Sequence, residues 1–274
     1  MENETLIRVG LFSVCFLMLL LIEWRSPLVR YRDVWTINRF TNILFLLSTV
    51  GTSRLLISMS AVSAAIFAQS NSFGFFNFFP MHAGMSFIIT LIVLDFLIYL
   101  QHVIMHLVPF LWRFHQIHHA DERLDTTTGF RFHPGEIFFS TVYKWLIVFL
   151  LGPSIAAVVV FEIILNSFSL FTHSNSKLLS RYQVILERVF ITPQTHWIHH
   201  SVAVVESQKN FGFCLCLWDR LFKTYDCYSL AEVTRLKFGV ADMNAKRNNF
   251  KDMLLHPFRN IHGSNYLLRR RGRD

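Results

Sequence analysis

The chain has 274 residues, of which 53% are hydrophobic, and its mean hydropathy is +0.39. This composition excludes an ordinary soluble domain and indicates an integral membrane protein, and no Pro-, Ser- or Gly-rich linker divides it into two domains. The formal charge is +8, but arginines flank the apolar segments, so the charge indicates contact with anionic lipid and no nucleic-acid partner.

The first apolar segment, residues 5–23, is long enough to span a bilayer, because about 20 apolar residues suffice. A cleaved signal peptide is the alternative. Glu2 and Glu4 precede the segment, Arg8 is the only basic residue near the start, and no small-residue cleavage site follows. These features favour a retained membrane anchor.

Three further apolar segments follow in the chain. Residues 41–68 are predicted to form a second span, and residues 86–101 a third, which leads directly into a histidine-rich segment. Residues 137–172 contain two shorter apolar halves separated by Gly152 and Pro153. Because proline ends a helix and glycine permits a turn, we expect a helical hairpin that enters the membrane and returns to the same side.

The distribution of arginine predicts the orientation of these segments. Positively charged loops stay in the cytoplasm, and the arginines concerned are Arg25, Arg30, Arg32, Arg39, Arg269, Arg270, Arg271 and Arg273. The predicted fold is therefore an all-α integral membrane protein with about three transmembrane helices, a helical hairpin and a cytoplasmic helical cap. We expect a single domain over 1–274, with N-terminal spans in 1–85, a catalytic core in 86–228 and a basic tail in 229–274.

Ten of the thirteen histidines fall between positions 102 and 200. Eight recur at helical spacing, where residues three and four apart share one face. Thr192 and Pro193 are typical of a helix start and precede the last group. The ten candidate metal ligands are His102, His106, His115, His118, His119, His133, His173, His196, His199 and His200. His82, His256 and His262 are interpreted as surface residues.

Imidazole is a common ligand of transition metals, and eight rings exceed what one tetrahedral zinc ion uses. With His133 and His173 the set suits two metal ions with about five nitrogens each. Asp95 and Asn166 each precede one of these histidines by seven residues within an apolar segment. We therefore expect both to orient an imidazole from behind, although Asp95 could instead bond to a neighbouring helix.

Two other classes of protein compete with a redox enzyme. A membrane zinc hydrolase needs a general base such as the Glu of H-E-x-x-H, and here only Glu136 or Glu162 could serve. A metal transporter needs ligands along a path across the bilayer, whereas these histidines are expected on one side. Cys214, Cys216 and Cys227 form no C-x-x-C pair, so no zinc knuckle is predicted.

The histidine pattern resembles that of the fatty acid hydroxylase/sterol desaturase superfamily, over roughly residues 86–228. The matching boxes are His102-x3-His106, His115-x2-His118-His119 and His196-x2-His199-His200. Matching flanks are Leu111-Trp112-Arg113-Phe114, Arg131-Phe132-His133-Pro134, His173-Ser174-Asn175 and Trp218-Asp219-Arg220-Leu221-Phe222. Val103 and Lys223 depart from common residues of the superfamily, and this leaves the subfamily and the substrate open.

The resemblance implies a non-haem di-iron enzyme with two Fe ions and O2 as co-substrate. Such an enzyme hydroxylates or desaturates an unactivated C–H bond of a lipid. It also implies two electrons from an external donor, which would be a reductase, a ferredoxin or a b-type cytochrome. The histidines would then lie on the cytoplasmic side of the bacterial inner membrane or the endoplasmic reticulum.

Overall fold

The structure is a computed structural model that describes residues 2–31, 37–240 and 249–259. Several residues named above lie outside these ranges: Arg32, His262, Arg269, Arg270, Arg271 and Arg273. The helices of the described ranges are α1 (Glu2–Arg25), α2 (Ile37–Leu55), α3 (Ala61–Ser70), α4 (Phe75–Phe78), α5 (Ala83–Leu107), α6 (Pro109–His119), α7 (Pro134–Leu151), α8 (Ile155–His173), α9 (Ser180–Leu186), α10 (Pro193–His199), α11 (Val204–Ser207), α12 (Leu217–Leu221), α13 (Leu230–Val233) and α14 (Phe250–Arg259).

Four helices of the described chain are long and apolar enough to cross a membrane: α1, from Leu6, α5, α7 and α8. The shortest, α7, has 18 residues and reaches about 27 Å at 1.5 Å per residue, close to the hydrocarbon thickness of about 30 Å. The all-α fold is therefore confirmed, and each arm of the predicted hairpin is itself of spanning length.

The prediction of one span over 41–68 is wrong, because the chain forms two helices there. A 3₁₀ turn at Ile57–Met59 separates α2 from α3. The Ser60 side chain caps α3 by accepting from the Ser63 backbone N–H. Serine side chains compete for backbone hydrogen bonds in this way, and this favours helix ends over helix interiors.

The hairpin turns at Gly152, as predicted. Gly152 adopts φ of +61° and ends α7, while the Ser154 side chain caps α8. A Cβ at position 152 would lie 2.5 Å from the Phe73 carbonyl oxygen, so the loop that precedes α4 packs directly against the turn. Only glycine combines this backbone conformation with such a close approach.

Small side chains allow the membrane helices to approach closely. Ala61, Ala64 and Ala65 of α3 are buried with Leu94 of α5 and Val158 of α8 in one apolar cluster. Small residues bring helix backbones together inside a membrane. The result is a rigid bundle from which α5 and α8 carry their last turns toward the histidines.

A buried polar network fixes the end of α6. Asp121 accepts hydrogen bonds from Asn42 of α2, at 2.9 Å, and from Thr128, at 2.8 Å. Arg131 is fully buried and donates to the carbonyls of Ile117, at 2.9 Å, and of the Asn42 side chain, at 2.8 Å. These bonds tie α2 and the 3₁₀ turn at Thr126–Phe130 to the histidine-bearing end of α6.

Candidate metal centre

Nine of the ten histidines predicted as ligands gather in two buried groups. The first group contains His102, His106, His115, His119 and His199, and the second contains His118, His173, His196 and His200. Within each group, one nitrogen per ring lies within 4.8 Å of every other such nitrogen. The structure thus brings together rings that are nearly a hundred residues apart in the chain.

The two short helices α6 and α10 each contribute to both groups. In α6, His115 and His119 lie one turn apart and join the first group, whereas His118 joins the second. The rings of His119 and His200 belong to different groups and stack with their centroids 4.4 Å apart. The two groups are therefore adjacent halves of one centre.

Helix α10 begins where the sequence predicts. Thr192 is its N-cap, Pro193 is its first residue, and the Thr192 and Thr195 side chains each bond to the other's backbone N–H. This capping box satisfies N–H groups that the first turn of a helix leaves without partners. It fixes the short helix on which His196 and His199 stand.

The clearest sign of a metal ion lies between His102 and His199. His102 Nδ1 donates to the Phe211 carbonyl at 2.7 Å, and His199 Nδ1 donates to the Lys209 carbonyl at 2.8 Å. Because a carbonyl oxygen can only accept, the single proton of each neutral ring is on Nδ1, and each Nε2 carries a lone pair. These two Nε2 atoms lie 3.0 Å apart. Two lone pairs cannot bond to each other, whereas a cation between them would bind both.

Other Nε2 atoms in the centre have the same spacing. The separation is 3.1 Å for His102 and His115, 2.9 Å for His118 and His173, and 3.1 Å for His173 and His196. Two nitrogens about 2.1 Å from one ion are about 3.0 Å apart at a right angle and about 3.4 Å apart at the tetrahedral angle. The observed separations are therefore those of nitrogens that could bind one shared ion.

The electrostatic surroundings keep these rings neutral. Burial, reinforced by the neighbouring imidazoles, lowers the pKa of His118, His119, His196 and His200 well below the usual value. Burial likewise lowers the pKa of His199 to about 3. Neutral imidazole is the form that binds metal ions, so the centre is ready to ligate at neutral pH.

Glu136 stands directly behind one of the clustered histidines. His115 Nδ1 lies 2.7 Å from Glu136 Oε1, and Glu136 is only 5% exposed. A carboxylate that holds the outer nitrogen of a ligating histidine fixes the ring and raises its basicity. Sequence reasoning considered Glu136 only as the base of a hydrolase. The sequence offered one indication of this role: Glu136 is a carboxylate in the first turn of an apolar helix, three residues after His133.

Asp219 orients another of the clustered histidines through the backbone. Its two carboxylate oxygens accept from the N–H groups of Phe211 and Gly212, both at 2.8 Å. The Phe211 carbonyl in turn accepts from His102. The Trp218-Asp219-Arg220 segment, which the sequence offered only as a resemblance, thus holds the loop that sets the His102 ring.

His133 is the one predicted ligand that the structure places outside both groups. Its Nδ1 caps α7 by accepting from the Gly135 N–H at 2.9 Å, and its Nε2 donates to the Leu254 carbonyl at 3.0 Å. Both ring nitrogens are therefore occupied, and we leave His133 out of the ligand set proposed below.

Asp95 and Asn166, which were expected to orient imidazoles, do not contact a histidine ring through a described hydrogen bond. Asp95 Oδ2 accepts from Trp218 Nε1 at 2.8 Å, which is the bond to a neighbouring segment that the sequence left open. Asn166 lines a cavity beside the first histidine group.

This cavity has a volume of about 320 Å³ and extends from the first histidine group into the bundle. His102, His115 and Glu136 line the part next to the rings. Lys144 lies eight residues beyond Glu136 in α7, and Glu162 lies eleven residues before His173 in α8 and pairs with Arg8, so these three residues line the part remote from the rings. Apolar side chains cover much of the wall between them: Phe12, Leu46, Ile98, Phe130, Phe132 and Phe213. The cavity therefore offers an alkyl chain a route to the rings.

Comparison with known proteins agrees with this centre. The family model described as fatty acid hydroxylase matches residues 87–224, half of the chain. The chain belongs to the fatty acid hydroxylase family. The matched range contains all nine clustered histidines together with Glu136 and Asp219. Membership and the spanning helices identify a membrane protein, and the resemblance found in the sequence is confirmed.

Curated relatives of this family member are lipid-modifying oxidoreductases by name. Ornithine lipid hydroxylase OlsE of Rhizobium tropici is 27% identical over 229 residues, which cover 83% of this chain and 67% of that protein. Alkylglycerol monooxygenase of Xenopus tropicalis is 30% identical over 146 residues, 53% of this chain and 32% of that protein. The human alkylglycerol monooxygenase is 28% identical over 53% of this chain and 31% of its own length.

The matches thus span two thirds of the hydroxylase but only about a third of these monooxygenases. No solved structure is significantly similar to the chain. Because family and relatives alike are hydroxylases or monooxygenases, the fatty acid hydroxylase family member described here is an oxidoreductase of the lipid oxygenase type.

Proposed function

We propose that this chain is a membrane-bound non-haem di-iron oxygenase that hydroxylates an unactivated C–H bond of a lipid. The observation that carries the proposal is the 3.0 Å approach of the His102 and His199 lone pairs within nine clustered rings. We assign one iron to each histidine group, because imidazole suits iron. Spanning helices and a cavity that ends at these rings support a lipid substrate.

The reaction proposed consumes O2, two electrons and two protons, converts a C–H bond to C–OH and releases one water molecule. Two bound iron ions would supply the activation of O2. The protein's own part is to hold nine imidazoles in place, to fix the His115 ring through Glu136, and to keep water from the reacting carbon with the apolar cavity wall. Two electrons per turnover require an external donor, for which we propose a reductase, a ferredoxin or a b-type cytochrome.

Hydroxylation is favoured over desaturation by the names of the relatives. Those names point to an ornithine lipid and an alkylglycerol, which are amphiphiles with a small polar head and alkyl chains. The cavity volume of about 320 Å³ lies at the lower end of the roughly 300–1,000 Å³ range of ligand pockets. We therefore propose an amphiphile that inserts a single alkyl chain.

The two alternative functions have less support. A zinc hydrolase is disfavoured because Glu162, one of its candidate bases, is paired with Arg8 at 2.6 Å. A transporter is disfavoured because His102, His106 and His173 all lie within the last two turns of their helices. This places the rings at one end of the bundle instead of along a path through it.

We propose that the chain acts as one domain, with residues 86–228 as the catalytic core between the N-terminal spans of 1–85 and the tail of 229–274. The arginine distribution favours multi-pass insertion with the histidines on the cytoplasmic side. The membrane would be the bacterial inner membrane or the endoplasmic reticulum.

The test combines metal content with lipid products. The purified full chain is expected to bind two irons, and cells that express it should accumulate a lipid that has gained one oxygen atom. His118→Ala removes a ligand of the second group and should lower bound iron and abolish the product. His82→Ala, at an exposed helix start, should leave both unchanged.

Elemental analysis and comparative lipidomics provide the two measurements. Bound zinc in place of iron, with unchanged lipids, would favour a hydrolase. Metal flux across proteoliposomes without lipid oxidation would favour transport. Equal iron content and product in the two histidine variants would refute the ligand assignment.

A further inference from the structure

Three ionisable side chains line the end of the cavity that is remote from the histidines. They are Arg8 of α1, Lys144 of α7 and Glu162 of α8. Arg8 Nη1 donates to Glu162 Oε2 at 2.6 Å, so these two charges offset each other. Lys144 has no carboxylate within ion-pair distance among the described residues. The three side chains together carry one excess positive charge.

Helix geometry places Lys144 on the cavity side of α7. The residues of α7 that line the cavity are Glu136, Ile137, Ser140, Thr141 and Lys144. Their spacing is that of a single helix face, on which positions four and eight residues apart follow one another. Lys144 therefore belongs to a polar stripe that begins at Glu136, behind His115, and runs down the wall of the cavity.

Helix α8 contributes a second polar stripe. Glu162, Asn166 and Ser169 also line the cavity and again share one helix face. Glu162 is bonded to Arg8 and Ser169 to the Gly129 carbonyl. An occupant made only of hydrocarbon would still leave the side chains of Asn166 and Lys144 without hydrogen-bond partners among the described residues, which is costly inside a membrane protein. Ionisable residues within spans usually mark a functional site for the same reason. The occupant of the far end therefore carries polar atoms.

We infer that the far end of the cavity binds the acid group of an anionic lipid, a carboxylate or a phosphate. Lys144 is the cation that contacts the acid group, and Arg8, held by Glu162, is a second donor. The inference rests on the proposed function, because the bound lipid is taken to be the substrate. It adds to that function a requirement for negative charge on the lipid.

The geometry also sets the position of oxidation. Lys144 follows Glu136 by eight residues on α7, which corresponds to about 12 Å along the helix axis. An acid group bound at Lys144 thus lies about 12 Å from the metal end, and the C–H bond presented there lies that far along the chain. The separation also keeps a carboxylate, itself a metal ligand, away from the histidine centre.

Binding without turnover tests the inference directly. The purified full chain, with its bound metal and without O2, is titrated with hexadecanoate, methyl hexadecanoate and hexadecyl phosphate, and bound lipid is counted by native mass spectrometry. We expect at least one of the two anions to bind about tenfold more tightly than the neutral ester, because a charge-assisted bond of this kind is worth that factor. The anion that binds more tightly distinguishes carboxylate from phosphate recognition.

Variants identify the residue responsible. Lys144→Met should remove the preference for the anion, Lys144→Arg should keep it, and Lys177→Met, on the exposed surface, should behave as wild type. Glu162→Gln removes the negative charge that offsets Arg8 and should therefore tighten anion binding by several fold. This change of opposite sign would not arise from general damage to the fold.

Two results would overturn the inference. One is equal affinity for the acids and the ester in the wild-type chain. The other is a Lys144→Met protein that binds every lipid normally but turns over slowly with a larger solvent isotope effect, because this would make the polar stripes a proton path. Both results can be obtained whether or not the wild-type chain hydroxylates its lipid. A failure of this inference can therefore be told apart from a failure of the proposed function.

Discussion

At the scale of single residues, the outer nitrogens of four rings determine where their inner nitrogens point. His102 and His199 donate to backbone carbonyls, and His173 Nδ1 donates to the Ser169 carbonyl at 2.6 Å. His115 instead faces the Glu136 carboxylate. These contacts set both the direction and the tautomer of the rings before any ion arrives, which is how outer contacts tune metal sites.

Glu136→Gln is predicted to weaken iron binding without unfolding the protein. Glutamine keeps the shape of the side chain but removes the negative charge that faces His115 Nδ1. Loss of such a contact commonly lowers metal affinity or activity by about 10- to 100-fold. The measurement is iron retention against a competing chelator, together with lipid oxidation.

The matched control for this prediction is Glu232→Gln, which changes a fully exposed carboxylate in the capping box of α13. It should retain iron as the wild type does. Equal retention by both variants would mean that the contact between Glu136 and His115 has no effect on the metal.

Spacing in the sequence was sufficient to predict that the boxed histidines cluster, because helical periodicity alone places them on common faces. It could not separate His133 from His173. We leave His133 out of the proposed ligand set because its two nitrogens bond to Gly135 and Leu254, and Leu254 is more than a hundred residues away in the chain. For the same reason the partner of Asp95, Trp218, could not be predicted.

At the scale of helices, local signals located the turns and helix starts more reliably than the spans. Gly152 with Pro153 correctly predicted the hairpin, and Thr192 with Pro193 correctly predicted the start of α10. The apolar stretch over 41–68 was wrongly predicted as one span. The mean hydropathy of this stretch is high although it contains two helices. Ser60 separates them by capping α3 with a single hydrogen bond, and a mean hydropathy does not detect such a bond.

Gly152→Ala is predicted to destabilise the hairpin. An alanine there would adopt the left-handed conformation, at a cost of about 1–2 kcal/mol, and its Cβ would approach the Phe73 carbonyl oxygen. The measurement is the free energy of unfolding in mixed detergent micelles. Gly51→Ala is the matched control, because nothing lies within 4 Å of its Cβ. It should be neutral or stabilising by up to about 1 kcal/mol inside α2, and equal losses in both variants would contradict the prediction.

At the scale of the whole molecule, the centre joins segments that are otherwise separate. The nine rings come from α5, α6, α8 and α10 and from the residue after α10. Without an ion, lone pairs in this centre face each other at about 3 Å. A ligand that binds only the folded state stabilises it in proportion to its affinity, so bound metal is expected to hold the cap on the bundle.

Removal of the metal is therefore predicted to lower the melting temperature, and the melting temperature of the metal-free protein is predicted to fall further in acid. His199 titrates near pH 3 in the folded protein, below its ordinary 6.5, so the unfolded chain binds more protons between these values. Stability then falls as the pH drops from about 6.5 toward 3. The measurement is the melting temperature of chelated protein at several pH values, before and after iron is restored. A melting temperature that does not depend on iron would contradict the prediction.

Because α6 and α10 each present rings to both halves of the centre, the two proposed ions would share the helices that hold them. The first ion to arrive immobilises the very helices that the second ion needs, and the second ion then loses less conformational freedom on binding. We therefore expect loading to be nearly all or none. A cell short of iron would contain a mixture of complete and empty enzyme molecules, with few half-assembled ones to leak reactive oxygen.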